Sequence, residues 1–459
     1  MKASPFAVLA AALLSLAAAP VPPATNPALA PVHPPAIPID QIGKTVTGAP
    51  ALPASAKKYD AKALGAKGDG ATKDTAALQK ILDDCAAGGG GEVTLPAGNY
   101  LTGSLKIGSN TTLRIDKGAT ITGSPDVADY PVIQVRWEGE WRGGHRALLS
   151  AEKAENIAIV GEGAIQGPPI ALAQLRPDAR GNVRGPSIFE PIDVTNLTLK
   201  DFTVRYQRMW SIHMTYCQNA LVDHLTIRTS QSNGDGIDVD SSQHVVIENC
   251  DIESGDDAIC LKSGRGMEAV RIGKPANDVL IHDCKLSSSF AGLGIGTEMS
   301  GGVANVLVRD TAFLRCSQNA IFIKSKTNRG GYIENITGTN LSIAAQCGTF
   351  LGIDLVTKGI EAAEPVTGDD RWPRVKNISF SKITLDNVPV IVSARNIAPE
   401  RPLDALTLAG ITGTARAGLV LSNMTNVRLE SITAAVPGSL LTLTNITGNN
   451  LEESKVKAP

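Results

Sequence analysis

Three aspartates stand at matching places in two neighbouring phrases of this 459-residue sequence: Asp235 in NGDGIDVDS, and Asp256 with Asp257 in SGDDAICLKSG. Carboxyls crowded on adjacent elements repel one another, which raises the pKa of at least one. A protonated carboxyl beside ionised ones is what glycosidic cleavage needs: the acid protonates the leaving oxygen while a carboxylate activates water. An inverting reaction needs its acid and base roughly 6.5–9.5 Å apart, a separation that adjacent coils can supply. Asp238 and Asp240 alternate along the first phrase. Strand neighbours point to opposite faces, so Asp256 and Asp257 reach one side only through a turn at Ser254-Gly255. Spacing alone leaves turn-forming or calcium-binding aspartates open as the other reading.

Other side chains join the candidates. His213 in WSIHMTYC lies on a coil neighbouring Asp235, where it either lines a cleft or sits paired in the core. Trp137 and Trp141 flank Glu138 and Glu140 in VRWEGEWRGG, an insertion that could stack on sugar rings or serve only packing. Arg329, before Gly330-Gly331, could reach an acidic sugar or cap a turn. Lys262 and Lys324 occupy equivalent positions on their strands, where a solvated side chain is an equal reading.

These residues need a scaffold that brings successive phrases side by side. One phrase recurs as NIAIVGEGAI from Asn156, NLTLKDFTV from Asn196, ALVDHLTI from Ala220, HVVIENCDI from His244, DVLIHDCKL from Asp278 and NVLVRDTAF from Asn305. It continues through YIENITGTNLSI from Tyr332, VKNISFSKITL from Val375 and NVRLESI from Asn426. Interleaved with it are DGIDVDS, DAICLKS, AGLGIGT and NAIFIKS. Each reads as a short strand with alternating inward and outward side chains. Within the interleaved set, equivalent strands recur every 22 to 34 residues, too close for a full helix in each repeat. The fold expected is all-β: a right-handed parallel β-helix whose coils stack at about 4.8 Å. The fixed Leu/Asn frame of a leucine-rich horseshoe is missing. Residues 72–87 are expected to form a helix plugging the N-terminal mouth, capped by Thr72 and buried through Ala76, Leu78, Ile81 and Leu82.

Lys2 followed by the apolar run Phe6–Ala19 reads as a signal peptide, so export to the periplasm or outside the cell is expected. The run is short for a membrane span. Pro20 to Pro53 holds ten of the 27 prolines. The organisation expected is therefore signal and linker start over 1–30, a Pro-rich linker over 31–56, and one catalytic solenoid over 57–459. Cys217, Cys250, Cys284, Cys316 and Cys347 recur at intervals of 33, 34, 32 and 31 residues. Such a period fits free, buried thiols stacked coil on coil, with a disulfide or metal site as the alternative. Basic and acidic residues number 43 and 45. No positive excess exists for a phosphate backbone, so nucleic acid is not an expected partner.

NGDGIDVDS, SGDDAICLKSG and IKSKTNRGGYIENI from Ile323 closely resemble the polygalacturonases of glycoside hydrolase family 28. YDAKALGAKGDGATKDTAALQ from Tyr59, DYPVIQVRWEG from Asp129 and GIGTEMSGGVANV from Gly294 carry the same resemblance, which extends from about Lys57 to Asn377. It implies a β-helix, export, and inverting hydrolysis of pectic polysaccharide without a metal; separately, no cofactor and a monomer are expected. By this resemblance Asp256 is the general acid, Asp235 and Asp257 activate water, Asn233 belongs to the same motif, and Lys324 binds a substrate carboxylate. His213 and Arg329 are further candidates for substrate binding. Two positions depart from the family pattern: Ala291 stands where a histidine is expected and Phe322 where an arginine is expected. Loss of the arginine removes a bidentate carboxylate clamp that lysine does not replace, so rhamnogalacturonan or another pectic branch is the alternative substrate. Pectate-lyase-type elimination and non-catalytic carbohydrate binding are the remaining rivals.

Overall fold

The computed structural model describes residues 33–170, 184–206 and 209–456. The signal peptide and linker start expected over 1–30 lie outside the described residues. The described chain winds into one sheet system of parallel strands, closed by pairing each coil to the next. A helix, α1 (Thr75–Ala87), covers the N-terminal mouth and buries Leu78, Ile81, Leu82 and Cys85. Ala76 stays exposed and Thr72 is not the cap. Asp74 precedes the helix, and its carboxylate accepts the amides of Lys67 at 2.6 Å and Gly68 at 2.9 Å instead of capping.

Two strands form an antiparallel hairpin outside the solenoid, β1 (Val132–Trp137) and β2 (Glu140–His145). Between them Glu138 and Gly139 take φ of 48° and 78°. Paired positive φ values make the tight turn whose twist matches a hairpin. One wall of the solenoid carries β3 (Ile212–Thr215), β4 (Ile237–Asp240), β5 (Ile259–Lys262), β6 (Ala291–Ile295), β7 (Asn319–Lys324) and β8 (Thr349–Asp354). Their register sets Asp238 between His213 and Cys260, and Asp240 between Thr215 and Lys262. Inward positions such as Ile237, Val239, Ile259 and Leu261 are fully buried, and their removal from water supplies the main drive for stacking.

The repeated phrases begin at one corner of every coil. Asn156, Asn196, Asn219, His244, Asp278, Asn305, Asn335, Asn377 and Asn426 all hold φ between 53° and 60° there. Asparagine and aspartate tolerate this left-handed conformation better than other side chains. The corner also forms a ladder: Asn156, Asn196 and Asn219 each donate to the asparagine one coil below, at 2.7 to 2.8 Å.

The Pro-rich segment lies as an extended strap on this corner. His33 stacks on Tyr332, Gly43 N donates to Asp278 at 2.7 Å, and Thr47 N donates to Asn219 at 2.8 Å. A Pro-rich extended linker is the expectation for 31–56; its described part is extended and docked, because the corner side chains accept from its amides. All seven cysteines are free and buried. Among the described residues no helix is long and apolar enough to cross a membrane.

Candidate active site

Glycine chemistry brings the acids together. A Cβ at Gly255 would stand 2.0 Å from the carbonyl oxygen of Gln231, so only hydrogen allows the two turns to close. The Ser254 and Ser288 hydroxyls then hold the Asp256 carbonyl at 2.6 and 2.5 Å. One coil further, a Cβ at Gly294 would lie 2.5 Å from Asp257 Oδ2. Glycine there leaves the carboxylate its place.

Asn233, Asp235, Asp256 and Asp257 line one cleft of about 130 Å³ together with Lys262 and Lys324. Trp137 and Glu138 of the hairpin, Trp210, and Glu298 complete the other side. The hairpin tip is fixed there because Arg265 N donates to Gly139 O at 3.1 Å.

Lys324 Nζ donates to Asp257 Oδ2 at 2.6 Å. Lys262 Nζ lies 2.6 Å from Asp238 Oδ1 and 3.3 Å from Asp235 Oδ2, with the Trp210 ring centroid 3.4 Å away. Asp235 and Asp257 are each only 3% exposed, while Asp256 is partly open to the cleft. Burial, reinforced by Asp238, pushes the Asp235 carboxyl well above its usual range, and Lys262 pulls it back. Burial and then Asp257 push Asp256 upward. Burial works to raise Glu298, but Lys262 and Arg329 hold it below the usual carboxylate range. The remaining oxygens Asp235 Oδ1 and Asp257 Oδ1 are buried without a protein hydrogen-bond partner. The arrangement sets a partly open carboxyl at the mouth and carboxyl oxygens deeper in, groups of the kind that serve as acid and base in splitting a glycosidic bond.

Residues 85–388 match the sequence profile of glycosyl hydrolases family 28. The chain belongs to this family and is a glycosidase. It is 26% identical over 361 residues to a Vitis vinifera protein named "Probable polygalacturonase", covering 76% of this chain and 72% of that one. It is 25% identical over 311 residues to the exo-poly-alpha-D-galacturonosidase of Dickeya chrysanthemi, and here it spans 57% of this chain and 51% of that protein. In fold it is similar to the family 28 exopolygalacturonase of Yersinia enterocolitica, with TM-score 0.76 at 20% identity over 86% of this chain and 78% of that one.

Within this family 28 chain, five of the seven sequence candidates meet in the cleft: Asn233, Asp235, Asp256, Asp257 and Lys324. The other two are buried and do not line it. His213 is fully buried beneath the cleft, its Nδ1 3.3 Å from Glu190 Oε1 and its Nε2 3.5 Å from Asp240 Oδ2. Asp238 neighbours it in register, so the ring shares the outer face of the strand with the acids, where it is covered and not open to the cleft. Arg329 is 1% exposed and donates to Ile360 O at 2.7 Å. Burial and the adjacent Arg265 bring its pKa down to about 10, against the pull of Glu298.

Sequence reasoning missed Glu298 and Trp210 as cleft residues. Glu298 was present in the quoted GIGTEMSGGVANV phrase, but one glutamate in a loop carries no directional signal. Lys262, read as an even choice with a solvated side chain, is 3% exposed and ion-paired. Trp137 reaches the cleft, whereas Trp141 packs near Tyr216, centroids 6.4 Å apart, and beside Arg136. Ala291 is fully buried, and Phe322 lies 5.9 Å from Phe290 with both rings near Lys324 Nζ.

Proposed function

We propose that this chain is an exported, inverting glycosidase that hydrolyses α-glycosidic bonds in a pectic poly- or oligosaccharide. The observation that carries the reading is the meeting of Asp235, Asp256 and Asp257 in one cleft. Asp256, partly open and pushed upward, gives its proton to the bridging oxygen as the bond from that oxygen to the sugar carbon breaks. The departing sugar leaves with a new hydroxyl. Water attacks the carbon from the opposite face, and its proton passes to the carboxylates of Asp257 and Asp235. Lys324 pairs directly with Asp257, and Asn233 meets the sugar beside Asp256. The polygalacturonase names of the relatives support a uronate-containing polymer.

A second reading of specificity is favoured by the cations. Among the cleft-lining residues described, the cations are Lys262 and Lys324, and both already contact site aspartates. With Phe322 where the family places an arginine, a rhamnogalacturonan or esterified stretch suits the cleft better than bare galacturonan. Reducing-end release and product sizing on homogalacturonan, rhamnogalacturonan and their oligomers, side by side, decide between the two. Nuclear magnetic resonance of the first-formed anomer reports the stereochemistry. A retained anomer, or an unsaturated product that ultraviolet absorbance reveals, overturns the reading.

A further inference from the structure

We propose that Asp238 and Lys262 are positioning residues that set the charge carried by Asp235. The proposal rests on Asp235 being one of the two carboxylates that receive the water proton.

Asp238 is fully buried on β4, three residues beyond Asp235 and opposite Cys260 of the next coil. Lys262, from the next coil, reaches both: 2.6 Å to Asp238 and 3.3 Å to Asp235. Trp210 covers the ammonium from the hairpin side and limits its access to water.

The charged groups facing this trio are few. Asp235 faces Asp238, Lys262, Asp256 and Asp257. Asp238 also faces His213 from β3, and Lys262 also faces Cys260 and Glu298. Of these, Lys262 is the cation in contact with Asp235. Buried acids so arranged titrate as a coupled set. Whether Asp235 can accept a proton then depends on two opposed neighbours: Lys262 favours its ionised form, and Asp238 disfavours it.

The opposition yields a sign test. A base must be deprotonated to act, so activity falls as pH drops through its pKa, and the acid limb of kcat/KM reports the free enzyme. Lys262→Met removes the favouring charge, so the limb is expected to move up by about one pH unit or more. Asp238→Asn removes the repelling charge but keeps an oxygen for Lys262, so the limb is expected to move down. Lys262→Arg restores the positive charge and is expected to restore most of the Lys262→Met shift. The assay is initial reducing-end release from whichever of oligogalacturonide or rhamnogalacturonan oligosaccharide the intact enzyme turns over, alongside a thermal melt.

Opposite shifts support the proposal. Limbs that stay in place, or move in the same direction, while the melting temperature falls overturn it in favour of a purely structural role. If Lys262→Met fails to fold, Asp238→Asn decides alone: a downward shift supports, no shift overturns. Asp235→Asn separates the two levels of inference. Full activity there removes Asp235 from water activation and the proposal with it, whereas an inactive Asp235→Asn with unmoved limbs overturns the positioning role only.

Discussion

Lys324 Nζ and Asp257 Oδ2 lie 2.6 Å apart although 67 residues separate them in the chain. Two coils of solenoid carry the lysine from β7 to the acid before β5. The contact ties a cation of the cleft directly to a carboxylate proposed to activate water. Both groups are nearly buried, so neither is neutralised by solvent. Breaking such a pair strands one charge, at a typical loss of about 3–5 kcal/mol. Lys324→Met is expected to lower the melting temperature and to reduce kcat/KM at least a hundredfold. Calorimetry and initial rates measured on one preparation check it.

Asp256 differs from its companions in being partly open and pushed upward. Asp256→Asn keeps the shape and removes the transferable proton. Turnover is expected to fall by about 10²–10⁴-fold, the usual contribution of a positioned acid. KM should change little, because the interaction is made in the transition state. Substantial residual hydrolysis removes Asp256 from the acid role.

His213 makes stability depend on pH from both sides. Burial works against its charged form, but hydrogen bonds and charges from Asp240 and Glu190 raise its pKa above the ordinary 6.5. Its contribution is therefore complete below about pH 6.5 and is lost as pH rises through the folded-state value. Glu190 and Asp240 are held below their ordinary 4.5 and 3.8, against burial, by Arg184 and Arg136 respectively, with His213 assisting both. Their contributions are complete above those values and are lost as pH falls through the lower folded-state ones. The melting temperature is expected to peak between about pH 4.5 and 6.5. In His213→Gln the decline on the alkaline side should flatten, which a melt series across pH reads directly.

The strap is testable at Asn219, which receives the amides of Thr47 at 2.8 Å and Gly48 at 3.1 Å. Asn219→Ala loses those bonds and also places alanine at φ 58°. A combined loss of about 2–3 kcal/mol is expected. Asn219→Gly accepts the backbone angle and should lose only the hydrogen-bond share. Both variants should be cut faster by protease within residues 44–57, and equal cutting of wild type and variants argues that the strap is held elsewhere.

Phe322→Arg places a planar, always-charged fork beside Lys324. A bidentate carboxylate clamp is the interaction the present side chain cannot make. The ratio of kcat/KM on galacturonan to that on rhamnogalacturonan is expected to rise by about tenfold or more. A ratio that does not move excludes this position from choosing the sugar.

By itself the sequence determined the repeat, the parallel stacking and the trio of acids. Short-range rules carry that much: strand alternation, asparagine or aspartate at the corners, and glycine wherever two turns must touch. The corner meaning of the leading Asn in each phrase was present in the letters, but only the φ values reveal it. Tertiary structure decided the rest. His213 and Lys262 each sit on a strand whose faces are equally legible as inward or outward. Which acids they meet depends on residues one coil away, as with Asp238 on both. The strap and the hairpin dock on partners far along the chain, and no local periodicity encodes contacts that come into being only when coils have stacked.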